Sequence, residues 1–171
     1  MTVNIVSGFE NLYLIMKSCI EAEMTPTGLL KDVEDFIPVY SEDEKVNEPL
    51  IWMYQLETIP LRNADISQTM ELTTPFQFNC AVYEPEIEDA NKECQNLAGR
   101  VIISILNNWQ RIQNELLPGH RMIRNITLDR YYPLGTIEVN GKSERLPVTG
   151  VILNVNHIIN WQLCCRTIND E

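Results

Sequence analysis

The chain has 171 residues, 44% of them apolar, which is enough to bury a core without disulfide or metal staples. Its formal net charge of -11 excludes a phosphate-neutralising surface as the dominant feature, because nucleic-acid affinity rests on Lys and Arg. Acid excess also suits a wall past which DNA slides without sticking, since like charge repels the phosphate backbone.

The chain reads as one α+β domain spanning residues 1–171. Near the start, Ile5, Phe9, Leu12, Ile15, Met16, Cys19 and Ile20 recur at steps of three and four, the stripe of an amphipathic helix. The same stretch lacks the basic region, unbroken apolar run and cleavage site of a signal peptide, and no segment reaches the roughly 20 apolar residues of a membrane span. The expectation is a protein of a reducing compartment with five free thiols and no membrane association. Cys164 and Cys165, adjacent in a strand-like stretch, point to opposite faces and cannot share a metal.

Residues 21–48 hold nine Asp or Glu against Lys31 and Lys45, with Pro26 and Pro38 as breakers, and read as an acidic, loop-rich segment over about 21–49. Inside it, Thr27 predicts the cap of a short helix with Leu30, Val33 and Phe36 on its inner face. Strands are predicted over 50–59 and 71–83. In the second, Leu72, Phe76, Phe78, Cys80 and Val82 share a face, and Pro75 predicts an edge position or a bulge. From 86 to 117 the period turns helical: Cys94, Leu97, Val101, Ile105, Trp109, Ile112 and Leu116 form one stripe, ended by Leu117-Pro118-Gly119.

A strand over 122–132 follows, with Met122, Ile126 and Leu128 on one face beside Arg124 and Arg130. Residues 136–139 continue extended, and Asn140-Gly141 is a strong hairpin signal. From 151 to 165 the alternation Val151, Leu153, Val155, His157, Ile159, Trp161, Leu163, Cys165 marks a long strand. Its other face carries Asn154, Asn156, Asn160 and Gln162, a neutral hydrogen-bonding surface that points to assembly. The layout is a mostly antiparallel sheet packed by an N-terminal helix and one long central helix.

Catalytic constellations are sparse. Gly141-Lys142-Ser143 resembles the end of a phosphate loop, but Thr136 stands where that motif needs Gly and strands rather than a helix follow. Asp129 and Glu138, taken in paired strands, resemble the carboxylates of a metal-dependent nuclease, yet Asn140 stands where an assisting Lys belongs, and a solvated strand face is the competing reading. His157 on an apolar face reads as a core or interface histidine, and His120 beside a turn as solvated. Trp52, Trp109 and Trp161 read as core or interface aromatics, because no basic cluster accompanies them. No catalytic residue, cofactor or metal is expected.

The stretch through Ile105-Leu106-Asn107-Asn108-Trp109, Tyr131-Tyr132-Pro133-Leu134-Gly135 and Leu146-Pro147-Val148-Thr149-Gly150-Val151-Ile152-Leu153 is similar to tail terminator proteins of long-tailed bacteriophages. The resemblance is one of layout, a helix followed by antiparallel strands and a hairpin returning into a long C-terminal strand, and covers about residues 89–166. It implies a structural virion protein in the tail or neck, assembled in the host cytoplasm as a ring, usually a hexamer. Such a ring stops tail-tube growth, meets the tube protein on one side and a neck or head-connector protein on the other, and lets DNA pass through its lumen without specific binding. The long acidic segment departs from the shortest members.

A closed ring needs two different patches per subunit. The candidate interface residues are Arg124, Arg130, Arg145, Asn140, Gly141, Asn154, Asn156 and Asn160, the three Arg as salt-bridge donors between subunits, with residues 60–68 as a docking loop. Acidic residues of the 21–48 segment or the strand tips are expected to face the lumen. Three alternatives stand beside this reading: another neck or head-tail joining protein, a metal-dependent nuclease using Asp129 and Glu138, and a small acidic adaptor or inhibitor.

Overall fold

The computed structural model describes residues 8–38, 47–61, 69–82, 84, 86–138 and 145–160. Two helices, α1 (Gly8–Glu21) and α2 (Ile87–Leu116), pack on a mixed sheet of six strands: β1 (Asp35–Ile37), β2 (Leu50–Gln55), β3 (Ile59–Pro60), β4 (Thr69–Ala81), β5 (Ile123–Glu138) and β6 (Arg145–Asn160). The strand order is β1-β2-β4-β6-β5, with β3 paired to β4 beside β2. Only β1 and β2 run parallel; every other pair is antiparallel. The α+β class, the two helices and the largely antiparallel sheet are as the sequence predicts.

The helical stripes become the core. Leu12, Ile15, Met16, Cys19 and Ile20 of α1 and Leu97, Val101 and Ile105 of α2 are fully buried. They lie over the sheet face formed by Ile51 and Met53 of β2, Phe76, Phe78 and Cys80 of β4, and Val151, Leu153 and Val155 of β6. Register explains the sharing of this face: Phe78 stands opposite Met53 on one side and Val151 on the other. α2 stops where Leu117 N–H donates to the Gln113 carbonyl and Gly119 adopts a φ of 80°, a left-handed conformation open to glycine.

Gln113 then ties this helix end to the sheet. Its side chain is buried, and its amide oxygen accepts from the buried Ile123 N–H at 2.6 Å. Replacement by Leu leaves that N–H without a partner, so Gln113→Leu is expected to cost about 1–3 kcal/mol in urea unfolding. A loss within the noise of an exposed substitution, below about 0.5 kcal/mol, would show the bond to be dispensable.

Two expectations are corrected. The helix predicted after Thr27 is absent; residues 22–34 form successive turns, with Gly28 N–H donating to the Thr25 carbonyl and Leu30 N–H to the Glu23 carbonyl. The Glu23 carboxylate also takes the Leu29 N–H at 3.0 Å, so side chain and turn together capture donors a helix would need. Leu30 and Val33 are nonetheless buried, and Phe36 lies half-buried in β1.

Pro75 sits in the interior strand β4, not at a sheet edge. It is tolerated because its backbone faces the place where β2 has ended: the Pro75 carbonyl accepts from Leu56 N–H, one residue past β2, and the missing N–H points to the same side.

β5 is one continuous strand through Tyr132 and Pro133, with register shifts at 123/125, 128/130 and 132/135, and joins the strand predicted to 132 with the extended stretch predicted from 136. Leu128 shares the helix-covered side through its partner Leu153, yet is 55% exposed. It stands on the outermost strand, beyond the cover of α2. β6 begins at Arg145, where the chain returning from the predicted hairpin leads into the long final strand, while residues 161–165 of that strand lie outside the described residues.

Candidate assembly surfaces

Both helices cover one face of the sheet, and the residues alternating with the core residues point to the other. On β6 these are Val148, Gly150, Ile152, Asn154, Asn156 and Ile158. Toward β1 and β2 this helix-free face is apolar and buried: Ile37, Leu50, Trp52, Ala81 and Val148 cluster there with Tyr54 beside them. Toward β5 it becomes polar, with amide and Thr side chains between the exposed Glu71 and Arg130. Thr73 donates to the Asn156 side-chain oxygen at 2.6 Å, and the Asn156 amide donates to the Asn125 oxygen at 2.6 Å, a ladder across three strands. Gln77 donates to Asn79 at 3.0 Å on the same face. The predicted amide-rich side of the last strand is thus real for Asn154 and Asn156, both half-buried.

The sheet's outer edge is β5, sixteen residues long. Besides Leu128 it exposes Tyr131 and Tyr132. Arg130 is exposed on the helix-free side, 3.5 Å from Asp129 and 3.4 Å from the Tyr132 hydroxyl, so this cation is partly engaged within its own strand. Such charges and register shifts protect a long edge from indiscriminate strand addition.

Arg124 lies elsewhere. With Arg121 it borders a cleft of about 340 Å³ between the last turns of α2 and the start of β5, lined also by Trp109, Gln110, Gln113, Asn114 and Ile123. Both Arg are exposed, and neither meets a carboxylate among the described residues. Arg121 was not singled out in the sequence; its signal was its spacing, two cations just past a helix stop in an acidic chain.

Of the remaining predicted residues, Arg145 opens β6 opposite Glu138, and Asn160 closes it opposite Thr69, both positioned by their backbone alone. Asn140 and Gly141, the Gly141-Lys142-Ser143 run and most of the 60–68 loop lie outside the described residues.

The carboxylate pair of the nuclease reading is not brought together. Asp129 and Glu138 belong to the same strand β5, nine positions apart, which at about 3.3 Å per residue separates them by roughly 30 Å. They cannot hold one metal ion. Among the described residues no group of His, Cys, Asp and Glu has metal-binding geometry. Cys19, Cys80 and Cys94 are buried free thiols; burial pushes the Cys19 thiol up to about 12, so it is inert as a nucleophile.

Part of the acidic segment is structural. Glu23 accepts from the Leu29 N–H and from Asn108 of α2 at 2.7 Å, contacts that hold its carboxyl below the usual range. Asp32 forms a two-pronged pair with Arg100, whose side chain also donates to the Leu29 carbonyl, and this guanidinium lowers its carboxyl likewise. These links pin residues 23–32 to α2.

The molecule is therefore an α+β protein with helices on one sheet face and a half-polar, half-apolar face opposite. No protein-family model matches the chain, and no curated protein matches it. Among the described residues no helix is long and apolar enough to cross a membrane.

Proposed function

We propose that this chain is a structural virion protein of the tail-terminator type, acting by ring assembly and shape matching rather than by catalysis. In this reading a ring of about six copies caps the tail tube, offers its far side to a neck or head-connector protein, and passes DNA through an acidic lumen. The observation that carries it is the neutral ladder of Thr73, Asn156 and Asn125 on a sheet face that neither helix covers. Exposed Glu71 and Arg130 flank this ladder, but the amides between them can be desolvated against a neighbour at lower cost than Lys or Glu, which suits an assembling subunit. The layout resemblance supplies the class, and the acid excess is compatible with a channel that must not bind DNA.

The test is native mass across concentration and salt, followed by negative-stain imaging. Six copies of 19.8 kDa give a species of about 119 kDa, seen as rings with a central hole. A chain that neither forms rings nor caps added tail tubes would defeat the reading. A ring that binds head connectors but not tubes would favour the neighbouring reading of a neck protein.

A further inference from the structure

α2 ends in two unlike surfaces. It is 30 residues long, about 45 Å at the usual rise, so its termini are independent patches on opposite ends of the molecule. At the C-terminal end lies the cleft with Arg121 and Arg124 on its rim and Trp109 and Ile123 in its lining. At the N-terminal end stand Glu84, Glu86, Glu88 and Asp89, all exposed, with Lys92 the one cation within residues 84–93. Lys92 is spent locally on Glu88 and Asp89, at 3.1 and 3.5 Å.

Carboxylates at a helix N-terminus are ordinary, since they complement the helix dipole. Ile87 among them is not. It is 76% exposed, more than any other large apolar side chain described, and nothing in the helix requires an isoleucine there. An apolar knob ringed by acid at one end, and a largely polar cleft with Trp109 in its lining and two guanidinium groups on its rim that meet no carboxylate among the described residues at the other, are complementary in charge.

We infer that the Arg121 and Arg124 cleft receives the acidic N-terminal end of α2 from a second copy of this chain, with Ile87 entering against Trp109 and the carboxylates of Glu84 and Glu86 meeting the two Arg. Because the two patches differ, each copy keeps one free after making the contact, the property a head-to-tail chain of subunits needs before it can close. The contact deepens the ring reading above and rests on it for closure. Exposed charge pairs of this kind govern encounter and register, while the apolar insertion slows dissociation.

The test is reciprocal charge reversal in the full chain, read by native mass and sedimentation at low and high salt. Arg121→Glu with Arg124→Glu, or Glu84→Lys with Glu86→Lys, is expected to weaken self-association about tenfold or more. All four substitutions in one chain should restore it to within about threefold, and Ile87→Ser alone should weaken it at high salt as well as low. All these side chains are exposed, so circular dichroism should report an unchanged fold.

Rings that persist in both one-sided variants would overturn the contact while leaving the ring reading intact. A two-copy species that obeys the charge swap but never grows would support the contact and defeat the ring. A wild-type chain monomeric at millimolar concentration would overturn the contact outright.

Discussion

Phe78→Ala is expected to lower the unfolding free energy by about 3–5 kcal/mol, the range for deleting a buried aromatic ring and leaving its cavity unfilled. Phe78 is fully buried at the middle of β4, flanked in register by Met53 and Val151, and belongs to the cluster that both helices cover. Its neighbours are held by a sheet on one side and helices on the other, so they cannot collapse into the space. Against a total stability of roughly 5–15 kcal/mol, the loss removes a large share of the margin.

The matched comparison is Leu128→Ala. Leu128 is as apolar but 55% exposed on the outer strand, and its truncation should change stability by about 0.5 kcal/mol or less. Urea unfolding of both variants, with an unchanged denaturant slope, checks the pair. Equal losses would mean that Leu128 is covered in solution by something beyond the described chain. In an assembled ring that is the expected signature, and it should vanish on dilution below the assembly concentration.

The same two residues mark what could and could not be read from the sequence. Phe78 was legible because the alternation around it continues over Leu72, Phe76, Cys80 and Val82, and all of these are buried. The stripe of α2 was legible for the same reason; Cys94, Leu97, Val101, Ile105 and Ile112 all point into the core. Period reports which side chains share a face. It does not report where a layer ends, and so Leu128, on the right face of the wrong strand, is exposed.

Register shifts are equally silent in sequence. Taken in paired strands, Asp129 and Glu138 make a carboxylate pair conceivable. In the structure the chain runs through Pro133 without turning back, since an outermost strand can spare one donor. β1 and β3, three and two residues long, carry no period at all. Among the candidate interface residues, Asn154 and Asn156 were found through alternation, whereas the grouping of Arg124 with Arg121 and Trp109 depends on how a helix end meets a strand start.

Acidification should expose the other large effect. His157 is 1% exposed; one ring nitrogen lies 2.8 Å from the buried Thr74 hydroxyl, which in turn lies 2.7 Å from that of Thr58, while Nδ1 has no partner among the described residues. Phe9 of α1 packs edge-on against the ring, centroids 6.2 Å apart. No carboxylate among the described residues pairs with the ring, and burial pushes the histidine down to about 4 from its ordinary 6.5.

The unfolded chain therefore takes up a proton that the folded chain refuses throughout that interval. The stabilising contribution is complete above pH 6.5 and drains away as the pH falls toward 4, at about 1.4 kcal/mol per unit and roughly 3 kcal/mol in all. Glu23 and Asp32, whose carboxyls are lowered by their partners, lose their contributions only as the pH falls below the ordinary carboxylate range, so their effect lies mainly at the acid end of the window.

Urea midpoints at about pH 7, 5.5 and 4.5 should fall steadily for the wild-type chain, and His157→Leu should remove most of the slope between the first two whatever its own stability. A slope that survives the substitution would place the proton uptake elsewhere and show the ring to be accessible.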